Sequence, residues 1–182
     1  MKAVKLLLLS SILFCGSIVA SAQLSVGLDL GSPVGNFSNI AATGFGGSLR
    51  YDKTISDKLS WTAAIGYLSF GGKNYSVGNV SIPFGNTTDI PISGGLKYYF
   101  SEADNGFYGG LDLNVNFLST YAYSYNSGNG GGYNLVTDSQ TLFGISPGIG
   151  YRLTNWDFSG RYNAVGDFSY LGLRVAYVIN SK

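Results

Sequence analysis

A strict two-residue alternation runs through the middle of the chain, where every second residue from Gly109 to Phe117 is apolar or glycine. Successive side chains of a β-strand point to opposite faces. The stretch therefore predicts a strand with an apolar face that carries Leu111 and Leu113 and a polar face that carries Asp112. Such a strand is not stable alone, so the rest of the chain has to supply its partners and a cover for its apolar face.

Seven further stretches alternate in the same way, and none after residue 22 has a helical period. The eight predicted strands are residues 23–31, 44–52, 59–70, 89–100, 107–121, 140–153, 156–164 and 168–179. Short turns at 52–58, 101–106 and 154–155 alternate with generally longer connections at 32–43, 71–88 and 120–139, while 165–167 is an exceptionally short member of that second set. This order predicts an all-β fold, an eight-stranded antiparallel up-and-down transmembrane β-barrel.

The first 22 residues have the layout of a cleaved secretory signal. Lys2 and Lys5 precede an apolar run from Leu6 to Ala20, and Ala20-Ser21-Ala22 gives the small-x-small spacing of a cleavage site. A membrane-anchoring helix is the alternative, but it needs roughly 18 to 20 apolar residues, more than this run supplies. The predicted domains are a signal peptide at 1–22 and an outer-membrane barrel at 23–182, and Cys15 leaves with the signal.

The composition does not suit a soluble surface. Charged residues make up 12% of the chain, about half of the roughly 25% usual in soluble domains. Without Lys2 and Lys5 the chain has 9 basic and 10 acidic residues, a formal charge of −1, so no nucleic-acid partner is expected.

A soluble lipid-carrying barrel also has eight alternating strands, so the orientation of the two faces has to be argued. Water would favour lysine and glutamate on the polar face, whereas this face carries mainly glycine, serine and asparagine, which suit a narrow lumen. Aromatic residues on the apolar face gather near the short turns, as in an interfacial girdle. They are Tyr51, Trp61, Tyr98, Phe100, Phe107, Tyr151, Trp156, Phe158 and Tyr177. We therefore expect the apolar face to contact outer-membrane lipid.

Over its full mature length the chain resembles the small eight-stranded outer-membrane barrels of the OmpA/OmpX transmembrane-domain type. Its last strand is similar to the C-terminal assembly signal of such proteins, through Tyr170, Gly172, Val175 and Tyr177. Many family members end on phenylalanine, whereas this chain continues to Lys182. The resemblance implies an integral protein of a Gram-negative-type outer membrane, with the outer-membrane assembly machinery as its partner during insertion.

Charges on the polar face fall on neighbouring predicted strands. Asp29 is expected between Arg50 and Arg174, and Asp112 is expected between Lys97 and Arg152, while Asp157 and Arg161 share one strand. A charge in a narrow lumen must be paired or hydrated. The predicted interior ion-pair network comprises Asp29, Arg50, Lys97, Asp112, Arg152, Asp157, Arg161 and Arg174. A polar conduction path or a gate that changes partners is the alternative.

Enzymatic chemistry is not indicated. There is no histidine and no cysteine after the signal, and no carboxylate pair has a spacing for acid–base work. We predict no catalytic, cofactor-binding or metal-binding residue and no cofactor. Asp89, Asp138 and Asp167 near the long connections would be either scattered solvated carboxylates or a joint calcium site. Pro91 and Pro147 interrupt predicted strands, which predicts β-bulges or strand ends there.

These patterns favour a non-enzymatic outer-membrane barrel that acts as a structural or interaction protein, as an accessory subunit of a larger outer-membrane complex. Its expected contacts with other outer-membrane proteins use the lipid-facing wall or loop tyrosines set among glycine and asparagine. Those tyrosines are Tyr75, Tyr121, Tyr123, Tyr125 and Tyr133. Two alternatives remain open: a narrow pore or lateral diffusion route for small apolar molecules, and a soluble secreted carrier.

Overall fold

The protein is described from a computed structural model that covers residues 22–77, 80–101, 105–126 and 132–180. Only the backbone is described at 22, 74–77, 80–84, 122–126, 132–136 and 180. The predicted signal peptide, apart from its last residue, lies outside the described residues.

Nine β-strands make up most of the described chain. They are β1 (Ala22–Pro33), β2 (Ala41–Ser56), β3 (Leu59–Gly72), β4 (Asn74–Val77), β5 (Val80–Tyr99), β6 (Gly106–Asn126), β7 (Gly132–Leu153), β8 (Trp156–Asn163) and β9 (Tyr170–Asn180). All pairings are antiparallel, in the order β3-β2-β1-β9-β8-β7-β6-β5, and β3 also pairs with β5. That last pairing closes an eight-stranded barrel, while β4 is a short extra strand beside β5. The predicted fold class is confirmed.

The two faces of the strands point as predicted. On β6, Leu113 is 66% exposed on the outer wall, whereas its neighbour Asp112 is 6% exposed in the lumen. The same alternation on β9 leaves Leu173 exposed and Arg174 buried. The wall thus presents large apolar side chains outward and keeps its charges inside, which is the inverse of a soluble carrier.

Aromatic side chains cluster on the outer wall at the rim that carries the short turns, called here the short-turn rim. Neighbouring strands bring their rings into contact, with centroids 5.3 Å apart for Tyr51 and Trp61 and 4.6 Å apart for Phe107 and Tyr151. Trp156 also meets Tyr177 at 5.6 Å. All nine aromatic residues predicted for a girdle lie near this rim, because register places the strand ends side by side.

Two long loops predicted at the opposite, long-connection rim are mostly strand. Residues 71–88 contain β4 and the start of β5, and residues 120–139 continue β6 to Asn126 and restart at Gly132 in β7. The β6–β7 pairing runs without a shift from Gly106–Arg152 to Asn126–Gly132. The loop prediction gave too much weight to glycine and asparagine, and too little to the tyrosine, threonine and valine that favour strands.

Single helical turns occupy the two remaining connections at this rim, although no helix was predicted there. Helix α1 spans Phe37–Ile40, and a 3-10 turn spans Gly166–Phe168. One turn is too short to show a helical period in a sequence. Throughout the described ranges, no helix has the length and apolarity needed to span a membrane.

The two prolines that interrupt predicted strands, Pro91 and Pro147, lie beside gaps in pairing and not at the predicted bulges or strand ends. Pro91 remains paired with Asn116 of β6. On its other side, the β3–β5 pairing is interrupted at Pro91 and at the residue before it, and it then resumes in the same register. Pro147 remains paired with Leu111, while the β7–β8 pairing stops at Gly148. Because proline has no backbone N–H, each of the two interrupts the pairing with the strand on one side, while the pairing with β6 on the other side is intact.

Candidate functional site

A buried lysine organises the part of the lumen nearest the short-turn rim. Lys97 Nζ lies 2.8 Å from Asp52 Oδ2 and 3.1 Å from Asp157 Oδ2, and its side chain is 1% exposed. The Tyr108 hydroxyl donates to Asp157 Oδ1 at 2.8 Å, and its ring centroid lies 4.7 Å from the ammonium. One cation on β5 thus holds carboxylates from β2 and β8.

The middle of the lumen is built around Asp112 of β6. Arg50 Nη2 lies 2.8 Å from Asp112 Oδ2, and the Thr62 hydroxyl donates to Asp112 Oδ1 at 3.0 Å. Arg161 is 3.5 Å from Asp29 and 4.0 Å from Asp112. Arg161 therefore lies between two acids, and five strands meet through these contacts.

Arg174 binds mainly hydroxyl groups. Arg174 Nε donates to Ser48 Oγ at 2.9 Å, and its Nη2 donates to Ser25 Oγ at 3.0 Å. Ser48 in turn donates to Asp29, so Arg174 reaches this acid through a serine. Its own ion pair is a longer contact of 3.9 Å with Asp157.

Above these charges lies a chain of neutral polar side chains. Asn116 donates to Asn114 Oδ1 at 2.7 Å, Asn114 donates to Ser146, and Ser146 donates to Asn163 Oδ1 at 2.8 Å. All four residues are buried. The bonds run from β6 through β7 to β8, so this layer lines one side of the lumen.

An apolar plug closes the lumen at the long-connection rim. The ring of Phe37 from α1 lies 5.0 Å from Phe70 and 5.3 Å from Phe168, and Phe70 lies 5.2 Å from Tyr170. Phe37, Phe70 and Tyr170 are at most 4% exposed. The plug is completed by Ala41, Leu68 and Ile40. The two helical turns therefore have a packing role, because they place Phe37 and Phe168 over the barrel end.

Two small voids lie among the lumen residues. One of about 30 Å³ is lined in part by Asp29, Asn114 and Tyr170, and one of about 20 Å³ is lined in part by Arg50 and Lys97. One water molecule occupies about 30 Å³ in the liquid. Each void therefore has room for about one water molecule.

The eight residues predicted as an interior network all lie in the lumen, with Arg161 the most exposed, but the partners expected for Asp29 and Asp112 differ. Asp112 pairs with Arg50 and not with Lys97 or Arg152, and Asp29 pairs with Arg161. The prediction paired adjacent strands, whereas long side chains in a narrow barrel reach across it. Arg152 illustrates the same point by donating to Gln23 Oε1 at 2.7 Å, while it lies 3.9 Å from Asp157.

Sequence reasoning missed two buried acids. Asp52 was placed where a predicted strand meets a turn and was left out of the interior network, although the alternation Ser48, Arg50, Asp52 gave the signal for it. Asp89 was expected near a loop but is 1% exposed inside the barrel. Its Oδ2 accepts a 3.4 Å bond from Tyr170, and its Oδ1 has no hydrogen-bond partner among the described residues.

The three acids weighed as a calcium site are not brought together. Asp89 is buried, Asp138 accepts from Gln140 on an exposed strand, and Asp167 accepts from Asn36 beside α1. Within the described ranges, no group of three metal-ligating side chains is close enough to hold an ion. The interpretation as scattered carboxylates fits Asp138 and Asp167, and it is wrong for Asp89.

The tyrosines predicted as loop contacts lie on strands. Tyr121 is 37% exposed and is paired with Thr137. The backbone register aligns Tyr123 with Leu135 and Tyr125 with Tyr133, while Tyr75 lies on β4. The side chains of Tyr75, Tyr123, Tyr125 and Tyr133 lie outside the described residues.

The residues of the predicted assembly signal divide between the two faces of β9. Tyr170 and Gly172 face the lumen, where Tyr170 belongs to the plug, and Val175 and Tyr177 are exposed on the outer wall. Strand β9 pairs with both β1 and β8, so it joins the two ends of the chain. Recognition by the assembly machinery remains a prediction.

Comparisons with known proteins give matches of fold. Neither a protein-family model nor a curated protein matches the chain significantly. Among solved structures, Ail, the attachment invasion locus protein of Yersinia pestis, matches with a TM-score of 0.57 and 13% identity over 87% of this chain and 97% of that chain. Neisserial surface protein A matches with a TM-score of 0.52 and 15% identity over 88% and 97%.

A further match is the outer membrane protein Ail in a phospholipid bilayer nanodisc, with a TM-score of 0.52 and 13% identity over 88% of this chain and 99% of that chain. These solved structures are eight-stranded outer-membrane barrels. The chain thus has the fold that was predicted from its resemblance to the small barrels of this kind.

Proposed function

We propose that the protein is an integral outer-membrane barrel that acts as a non-enzymatic structural or interaction protein, in the role of an accessory subunit of a larger outer-membrane complex. The observation that carries the proposal is the combination of an apolar outer wall with a lumen closed by bonded polar layers and a plug. The described side chains of the lumen are bonded or packed and leave little room for a solute. We therefore assign the function to the outer surfaces of the barrel.

The outer wall supports the location in a membrane. Among the side chains that the structure describes, thirty-two large apolar or aromatic ones are exposed, including Leu28, Phe143 and Ile149 at more than 70%. In water this would be a contiguous apolar patch of a size that soluble monomers avoid. In a bilayer, lipid chains cover this apolar patch, and the closed barrel has no free edge strand inside the hydrocarbon.

The lumen supports a non-enzymatic role. Its carboxylates are engaged by Lys97 and the arginines, or lie buried beside a tyrosine, as Asp89 does. A nucleophile activated by a neighbouring base would need a pocket accessible to substrate, and the void beside Asp29 has room for only about one water molecule.

The alternative of a pore or lateral route has less support. An apolar groove on the outer wall reaches the interrupted β7–β8 pairing near Pro147 and Tyr162. The groove shares the lining residues Leu30, Arg161 and Gly172 with an interior void of about 30 Å³, which is too small for an apolar solute.

The test is affinity purification of the tagged protein in mild detergent from cells that express it at native level. A stoichiometric outer-membrane partner that survives purification is the expected result. Recovery of the barrel alone, together with stable unitary conductance in planar bilayers, would overturn the proposal in favour of the pore. A Leu113→Gln variant of the outer wall serves as the first control for contacts through that wall.

A further inference from the structure

The smaller of the two lumen voids lies among cationic side chains. It has a volume of about 20 Å³, and the cations of its lining are Arg50, Lys97 and Arg161. They face one lining carboxylate, that of Asp112. This cavity, called here the basic void, therefore has an excess of positive charge on its walls.

Two polar atoms from residues that line the basic void lack an acceptor or donor. Arg50 Nε and Ser159 Oγ are buried, and neither has a hydrogen-bond partner among the described residues. Arg50 is 4% exposed, so water outside the barrel does not reach its guanidinium group freely. A buried donor without an acceptor destabilises the fold, and one acceptor held in the basic void would satisfy both atoms.

The carboxylate on the lining is already engaged. Asp112 Oδ2 lies 2.8 Å from Arg50 Nη2 and 4.0 Å from Arg161, and its Oδ1 accepts from Thr62 at 3.0 Å. Lys97 in turn is held by two acids that do not line the basic void, at 2.8 and 3.1 Å. The acceptor for Arg50 Nε therefore has to come from outside the chain.

The charges that pair in the lumen do not balance. Among the described residues, five cations share four carboxylates. The cations are Arg50, Lys97, Arg152, Arg161 and Arg174, and the acids are Asp29, Asp52, Asp112 and Asp157. The fifth buried acid, Asp89, is bonded to Tyr170 beside the plug and makes no ion pair with a described cation. One positive charge is thus left without a counter-charge, and a buried charge requires one.

We propose that the basic void binds one monovalent halide ion, with chloride as the physiological ligand. Arg50 Nε and the Ser159 hydroxyl donate to the ion, and the charges of Lys97 and Arg161 attract it. A volume of about 20 Å³ exceeds the roughly 10 to 15 Å³ that a water-sized particle needs, so a halide fits and a larger anion such as sulfate does not. A water molecule would satisfy the two polar atoms but would leave the charge uncompensated.

The halide has a structural role in this proposal. Its ligands lie on β2, β5 and β8, so the ion joins three walls of the barrel that the sheet does not pair directly. A ligand that binds only the folded state stabilises that state as its concentration rises. We therefore expect the stability of the barrel to depend on halide, apart from any contact at its outer surfaces.

The first measurement is the urea unfolding midpoint of the mature protein in neutral detergent micelles. Sodium chloride is replaced stepwise by sodium gluconate, whose anion is too large for the basic void. The constant ionic strength keeps the screening of charges equal. From no chloride to about 0.3 M chloride, the folding equilibrium constant should rise at least about fivefold, and bromide should act like chloride.

Two adjacent glycines on β6 supply matched variants. Gly110 lines the basic void, and a Cβ there would meet the Leu96 carbonyl oxygen at 3.6 Å and Lys97 Cγ at 3.9 Å. Gly110→Ala should therefore fold, occupy room that the ion needs and lose the chloride dependence. Gly109→Ala should keep the dependence, because its Cβ would meet Phe100 at 4.0 Å and Gly109 does not line the basic void. Ser159→Ala removes one donor and should weaken the dependence at least about threefold.

Anomalous X-ray scattering locates the ion without relying on stability. Wild-type protein refolded and crystallised in sodium bromide should show an anomalous peak in the basic void, next to Arg50 and Ser159. Equal stability in chloride and gluconate, equal chloride dependence of Gly110→Ala and Gly109→Ala, or bromide crystals without that peak would overturn the proposal. Purification of a stoichiometric membrane partner tests the accessory role separately, since that role does not require the ion.

Discussion

Arg50 and Asp112 are joined across the lumen, with Nη2 and Oδ2 2.8 Å apart, although β3 and β5 separate their strands around the barrel. Their side chains are 5% and 9% exposed. The bond therefore joins β2 directly to β6, two strands that the backbone hydrogen bonds of the sheet connect only through intervening strands. A charge in such a place is stabilised by its partner, and loss of either partner leaves the other buried and uncompensated.

Asp112→Ala is expected to destabilise the barrel by about 3 to 5 kcal/mol, the usual cost of breaking a buried pair. Arg50 loses its nearest acid, and the Thr62 hydroxyl loses its acceptor. The measurement is urea unfolding in detergent micelles, followed by the gel mobility of unheated samples. Arg50→Met combined with Asp112→Leu should recover much of the loss, and a single variant within about 0.5 kcal/mol of the wild type would contradict the prediction.

Alternation and turn spacing predicted the eight strands of the barrel, and composition predicted the direction of both faces, while the short strand β4 was not predicted. Leu113 and Asp112 show why, since a strand gives each residue one of two faces and the composition then selects lipid for one of them. The ion-pair partners could not be predicted in this way, because Arg50 reaches past its neighbouring strands. Side-chain reach across a lumen depends on barrel radius and stagger, which a strand's own sequence does not encode.

The plug was missed for a different reason. Phe37 and Phe168 lie in single helical turns, and one turn has too few residues to show a period. The external part of β6 and β7 was missed because glycine and asparagine in 126–134 suggested a loop, although the flanking residues keep pairing to Asn126 and Gly132.

Phe70→Ala should cost about 3 to 5 kcal/mol, as for other large buried rings. The substitution removes contacts to Phe37 and Tyr170 and leaves a void under α1. The same change at Phe45, which is 65% exposed on the outer wall, is the matched control and should have a much smaller effect. The readout is the temperature at which the folded gel band is lost.

Loss of the plug should not open a channel. Below Phe70 the ion pairs still cross the lumen, as Arg50–Asp112 and Lys97–Asp157 do. Planar-bilayer recordings of Phe70→Ala should therefore show no stable conductance. Unitary openings in this variant would mean that water and ions pass between the polar side chains of the lumen once the plug is lost.

Substitution by alanine should have a large effect at one of two adjacent glycines on β5 and a small effect at the other. A Cβ at Gly95 would overlap the Asp112 carboxylate and the Leu111 carbonyl, whereas a Cβ at Gly94 would meet its nearest atom, the Thr62 carbonyl oxygen, at 3.8 Å. Gly95→Ala should therefore lower the yield of folded barrel and its unfolding temperature, and Gly94→Ala should leave both near the wild type. Refolding yield in detergent measures the difference, and equal behaviour of the two variants would contradict the placement of Gly95 against Asp112.

A charge on the outer wall should have a cost that depends on depth. Leu113 lies near the middle of the apolar stretch from Phe107 to Phe117 on β6, and Thr137 lies beyond it. An arginine at the bilayer midplane costs about 2 to 4 kcal/mol, and near the interface the cost falls to roughly 0 to 1 kcal/mol. Leu113→Arg should therefore destabilise the barrel in lipid vesicles by the larger amount and Thr137→Arg by the smaller. The free energy of unfolding in vesicles tests this order, and a reversal would mean that the apolar belt lies higher on β6 than Phe117.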